Sequence, residues 1–201
     1  MINDIKIILA SKSKIRADIL KNAGINFTID SSTVDEDSIK DSLLSEGSDT
    51  VSVSQALADL KAQNRSIHWP NHLIIGADQI LEFEGKIYSK PRDIDDLKIR
   101  LNILSGKKHK LFTAVSIALD KKVVWRNNSI SILKMRNLTK NFINNYLETV
   151  GYDAINSVGG YQIEGIGIQL FEKIEGDYFS ILGLPILPIL EYLRDRKIIL
   201  K

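Results

Sequence analysis

Residues 73–90 read LIIGADQILEFEGKIYSK. Three β-formers, Leu73-Ile74-Ile75, run into Gly76-Ala77 and then a lone carboxylate, Asp78. An apolar strand ending in small residues and an acid is a common way to build a site. The strand is rigid, Gly and Ala leave room for a ligand, and the carboxylate stands at the rim. An Asp that simply opens a turn has the same local pattern. Beyond it, Gln79–Phe83 and Lys86–Tyr88 read as two short strands joined at Glu84-Gly85, a hairpin. That hairpin returns the chain to Ser89-Lys90, and Pro91 holds Lys90 extended.

Outward from this stretch, the 201 residues suit one large domain or two small lobes with a real core. A hydrophobic fraction of 44% and a charged fraction of 26% are those of an ordinary soluble chain. The net charge of +2 argues against nucleic-acid or membrane binding. Without cysteine there are no disulfides and no thiolate chemistry. No run approaches the length of a membrane span, and Ile5–Ala10 is too short for a secretory signal, so a cytoplasmic location is expected.

Upstream, Ile5–Ala10 reads as a buried strand feeding a helix whose Ile15, Ile19 and Ala23 share a face, with Gly24 as its stop. Ser11 or Ser13 serves as N-cap. Lys12, Lys14 and Arg16 crowd that helix N-terminus and oppose the macrodipole, which an anion bound there would reverse. Asn26–Ile29 reads as a short strand. Residues 31–49, with Val34-Asp35-Glu36-Asp37, read as an acidic loop. A helix over 49–66 carries Val53, Leu57 and Leu60 on its apolar stripe, with Lys61 at the edge, either snorkelling to water or reaching into a cleft.

Downstream, Asp93 caps a helix with the stripe Ile94, Leu97, Leu101, Leu104 and a stop at Gly106. Lys110–Leu119, Val123–Trp125 and Asn128–Met135 read as strands. Thr139 caps a helix whose inward residues include Ile143, Tyr146 and Leu147. Gly165-x-Gly167 lacks the third glycine of a dinucleotide fingerprint. Ile168–Ile174 reads as a strand, and Pro185 opens a last helix with Leu187, Leu190 and Leu193 inward. The whole is a mixed α/β chain around an elongated sheet.

In order along the chain stand Leu9-Ala10-Ser11-x-Ser13-x-x-Arg16, Val34-Asp35-Glu36, Leu57-Ala58-x-x-Lys61-Ala62 and Gly76-Ala77-Asp78. Lys90-Pro91, Leu104-Ser105-Gly106-x-x-His109-x-x-x-Thr113, Glu164-Gly165-x-Gly167, Ile174-Glu175-Gly176-Asp177 and Gly183-Leu184-Pro185 follow. In this order they resemble the Maf proteins, also called septum formation inhibitors, over nearly the whole length. The resemblance implies a single Maf-like domain over 1–201, of two lobes with a central cleft, similar to the inosine triphosphatase fold. It implies hydrolysis of a nucleoside triphosphate to the monophosphate and pyrophosphate, a divalent cation (Mg²⁺, Mn²⁺ or Co²⁺), and a homodimer. Asp78 matches the proton acceptor. Ser11, Ser13, Arg16, Lys61 and Lys90 match substrate-binding positions, and Glu36 a metal position that Asp78 shares.

The physics of that set is coherent. Hydrolysing a triphosphate is mainly positioning and charge stabilisation, which separated cations and a helix N-terminus supply. Asp78, with an ordinary pKa near 4, either takes the proton or binds the metal that acidifies the water. Ile15, Gln79 and Glu164 stand at the family's specificity positions. Gln79 and Glu164 resemble the subgroup preferring 7-methyl-GTP, where Ile15 replaces the usual Trp. A Glu164 carboxylate accepts from the guanine N1–H and exocyclic amine. The alternatives are a dTTP or UTP pyrophosphatase, or a septum-formation regulator that arrests division by binding proteins.

Overall fold

The computed structural model describes residues 5–200; residues 1–4 and 201 of the expected 1–201 domain lie outside it. The elements run β1 Ile7–Leu9, α1 Lys14–Asn22, β2 Phe27–Ile29, α2 Glu36–Ser45, α3 Thr50–Ser66, β3 Leu73–Phe83 and β4 Lys86–Tyr88. After them come α4 Ile94–Leu104, β5 Lys108–Leu119, β6 Lys122–Met135, α5 Lys140–Val150, β7 Phe171–Glu175, α6 Tyr178–Ile181 and α7 Ile186–Asp195. The expected mixed α/β architecture is observed: one seven-stranded sheet in the order β2-β1-β3-β5-β6-β7, with β4 on β3. β1 pairs in parallel with β2 and β3, while the β3–β4 and β6–β7 pairs are antiparallel. No helix among the described residues is long and apolar enough to cross a membrane.

The chain forms two compact units. The first takes in the chain up to Asp78, Thr113–Ser129 and the chain from Asp177 on. Its core gathers Leu9, Leu20, Ile75, Ala77, Val115, Ile117, Leu184, Ile189 and Leu193. A smaller cluster of Ile8, Ala10, Ala62, Ile74 and Ala118 fills the other face of the strands. The second unit, Gln79–Phe112 and Ile130–Gly176, is built on α4, α5 and the outer parts of β3, β5 and β6.

Five expectations change. β3 does not stop at Asp78; it runs unbroken through Gly76-Ala77-Asp78 for 11 residues, so Asp78 lies within a strand and opens no turn. Gly76 interrupts nothing, because α3 packs directly against it. The stretch read as an acidic loop contains α2, capped by Asp35 through the Ser38 N–H. No residue of α2 is fully buried, so no apolar stripe announced it. Val123–Trp125 and Asn128–Met135 are one 14-residue strand, β6. Of the strand expected over 168–174, residues up to Leu170 form a 3₁₀ turn. In α7 the inward residues are Ile186, Ile189, Tyr192 and Leu193, and Leu187 is 60% exposed. The caps at Ser13, Asp93 and Thr139 are as expected. So is the Glu84-Gly85 hairpin, where both residues have positive φ.

His109 in the second unit is buried, and its Nε2 shares a 2.7 Å hydrogen bond with the Tyr161 hydroxyl. Its Nδ1 has no partner among the described residues. Desolvation pulls the imidazole from its ordinary 6.5 down to about 4. The unfolded chain therefore takes up this proton first as pH falls. The stability tied to neutral His109 is complete above the unfolded pKa and drains away towards the folded one, by about 3 kcal/mol in all. Thermal unfolding followed from about pH 7 to about pH 4 should show that acid limb, and His109→Gln should flatten it. Equal limbs in both proteins would assign the loss to other groups.

Candidate active site

α3 meets β3 at Gly76. A Cβ there would lie 2.4 Å from the Ala58 carbonyl oxygen and 2.6 Å from the Ala62 nitrogen. Only glycine lets the helix backbone come this close. Side chains alternate along a strand, so Ile74, Gly76 and Asp78 share the face that α3 covers. Lys61, three residues past Ala58, is thereby delivered to Asp78.

The contact is a buried ion pair. Lys61 Nζ donates to Asp78 Oδ1 at 2.7 Å, and the two residues are 6% and 5% exposed. The same ammonium stands 2.7 Å from Glu36 Oε2, and the Glu36 side chain is half-exposed. One lysine thus bridges two carboxylates, a contact that neither a snorkelling lysine nor a solvated acidic loop would make. Asp78 Oδ2 is buried with no hydrogen-bond partner among the described residues. A buried carboxylate oxygen in that state is expensive.

Glu36 is presented by the first turn of α2. The loop before it is pinned to the end of α3: Asn64 Oδ1 accepts from Ser32 Oγ and the Thr33 N–H, each at 3.4 Å. Arg65 and Trp69 both bond Asp30.

Arg16 enters from the first turn of α1. Its Nη1 donates to the Ala77 carbonyl at 2.8 Å and to Ser11 Oγ at 3.3 Å, and its Nε donates to the Gly183 carbonyl at 2.9 Å. It braces the residue before Asp78. Burial lowers the guanidinium from its ordinary pKa, while Asp78 and Glu36 act in the opposite direction. Ser13 caps the helix by accepting from the Arg16 N–H, and its own N–H donates to Ser11 Oγ at 3.2 Å. Lys12 and Lys14 are exposed, so of the three cations at this terminus only Arg16 turns inward. Ile15 is half-buried against the first unit's core.

The first unit therefore brings Ser11, Ser13, Arg16, Glu36, Lys61 and Asp78 together. Gln79, Lys90 and Glu164 belong to the second unit. Half-buried Gln79 follows Asp78 on the opposite strand face. The β3–β4 register, Leu81 opposite Tyr88, returns the exposed Lys90 to the Gln79 end of the strand. Glu164 is exposed on the turn after Gly160, whose carbonyl accepts from the Tyr146 hydroxyl at 3.2 Å. Burial pushes that hydroxyl up to about 12.

A profile described as Maf-like protein matches residues 6–196. The chain belongs to the Maf family. Among its relatives is a 7-methyl-GTP pyrophosphatase of Brucella abortus biovar 1 (strain 9-941), 46% identical over 195 residues, 97% of this chain and 98% of that protein. Another is the nucleoside triphosphate pyrophosphatase 1 of Jannaschia sp. (strain CCS1), 44% identical over 191 residues, 95% and 96% of the two chains.

One residue escaped the motif reading of this Maf chain. Arg100 is 6% exposed on the inner face of α4. Its signal was present: it falls three after Leu97 and four before Leu104, inside an apolar stripe where a charge needs a reason.

Proposed function

We propose that this chain is a nucleoside triphosphate pyrophosphatase that prefers 7-methyl-GTP-like purines. The observation that carries the reading is Asp78, with Oδ1 held by Lys61 and Oδ2 buried without a protein partner. In the reaction, water attacks the α-phosphorus and the bond to the bridging oxygen breaks. The products are a nucleoside monophosphate and pyrophosphate. Asp78 Oδ2 accepts the hydrogen of the attacking water and orients it. Arg16 has Nε and Nη1 committed to the protein and offers Nη2 to phosphate. Lys61 and Lys90 supply the remaining positive charge.

The acidic residues suit a divalent cation of one particular kind. Among the described residues no three His, Asp or Glu side chains are grouped to cage a metal. Glu36 and Asp78 are hard oxygen donors, and Asp78 Oδ2 is uncommitted, which fits an ion held by one or two carboxylates and completed by substrate phosphates. Bound there, such an ion would neutralise phosphate charge and acidify water. The homodimer implied by the resemblance and the cytoplasmic location expected from the sequence belong to this reading.

Base choice rests on Gln79, Glu164 and Ile15. Glu164 accepts from the guanine N1–H and amine and favours the positive charge of a methylated purine. The relative named 7-methyl-GTP pyrophosphatase supports this choice. Pyrophosphate release from 7-methyl-GTP, dTTP and UTP, each with Mg²⁺, Mn²⁺ or Co²⁺, tests it. Turnover of 7-methyl-GTP should exceed the pyrimidines by about 10-fold or more in kcat/KM. Release from none of the three would remove the activity, and a dTTP or UTP preference would remove the purine assignment.

A further inference from the structure

We propose that Arg100 is a positioning residue that fixes Lys90 and the turn 159–164 relative to each other. The inference rests on the reading of Lys90 as a phosphate-binding residue and of Glu164 as a base selector.

Arg100 Nη1 donates to two backbone carbonyls, those of Ser89 and of Val158, the second at 2.6 Å. Ser89 immediately precedes Lys90, and Val158 immediately precedes Gly159-Gly160. One guanidinium nitrogen thus joins the segment that carries the lysine to the segment that leads to Glu164. The group is built in. The Tyr88 ring lies 5.3 Å from its Cζ, and Asp96 Oδ2 is 3.7 Å from Nη2. Its Nε is buried with no partner among the described residues.

An apolar side chain would fill this place in the stripe of Leu97, Leu101 and Leu104 without that penalty. The arginine supplies what an apolar residue cannot, charge-assisted bonds to both carbonyls. The turn itself is already seated against α4. Gly160 has φ +68°, and a Cβ on it would lie 1.9 Å from Leu97 Cδ1. Packing therefore holds the turn, and Arg100 adds the tie between the turn and the lysine segment.

A double-mutant cycle separates positioning from general support. Arg100→Lys keeps the charge, but its Nζ stops one bond short of the Nη1 position that holds both carbonyls and it lacks the planar group against the Tyr88 ring. On the wild-type background it should raise KM for the nucleotide about 10-fold and lower the 7-methyl-GTP to UTP ratio, with kcat within about 3-fold. On a Lys90→Met background the same change should move KM less than about 2-fold, because the lysine it positions is gone. Equal losses on both backgrounds would overturn the proposal. Lys90→Met with an unchanged KM would instead remove the phosphate role of Lys90 itself. Should Arg100→Lys not fold, Tyr88→Leu removes the ring against the guanidinium, and the same cycle is read.

Discussion

Asp78→Asn should lower kcat about 10³-fold while the protein stays folded. The amide keeps the shape of the carboxylate and one oxygen for the Lys61 ammonium, which also retains Glu36. What disappears is the second anionic oxygen, the buried Oδ2 with no protein partner. The brace on the neighbouring residue is untouched, since Arg16 bonds the Ala77 backbone. Steady-state kinetics with the preferred triphosphate, alongside thermal melting, checks both halves. A variant within about 10-fold of wild type would take Asp78 out of the chemistry.

Gly76→Ala is expected to have the largest effect on stability. Its added methyl meets the Ala58 carbonyl and the Ala62 nitrogen, both main-chain atoms of a helix that cannot rotate away. α3 must lift from β3, at a cost of about 3 kcal/mol. For a chain of this size that lowers Tm by about 10 °C. Lifting α3 also withdraws Lys61 from Asp78, so kcat/KM should fall even where the variant is fully folded. A melting point within about 2 °C of wild type would show that the helix–strand contact yields easily.

Much of this was legible in the sequence where local chemistry decides. The Ser13, Asp93 and Thr139 caps and the Glu84-Gly85 turn are written in the residues that make them. The site was legible through the order of short motifs, with Lys61 and Asp78 at fixed places within them. Contacts between distant segments were not. β3 looked finished at Gly76-Ala77-Asp78 because small residues and an acid resemble a strand end. Only the presence of α3 explains why glycine sits inside the strand. α2 has Asp35 and Ser38 to start it but no buried face to reveal it. Arg100 was hidden because an apolar stripe is read by its leucines. The first half of α7, residues 186–190, is apolar throughout, so periodicity could not choose between Leu187 and Ile189.

The chain passes between the two compact units four times, and the first passage is the peptide bond joining Asp78 to Gln79. Most of the residues assigned to charge and proton handling precede it or return to the first unit. Two of the three assigned to base choice, Gln79 and Glu164, fall in the second, with Ile15 and Lys90 as the exceptions. On the roles proposed for Gln79 and Glu164, substitutions in the second unit would retune which nucleotide is accepted and leave the Lys61–Asp78 pair of the first unit in place.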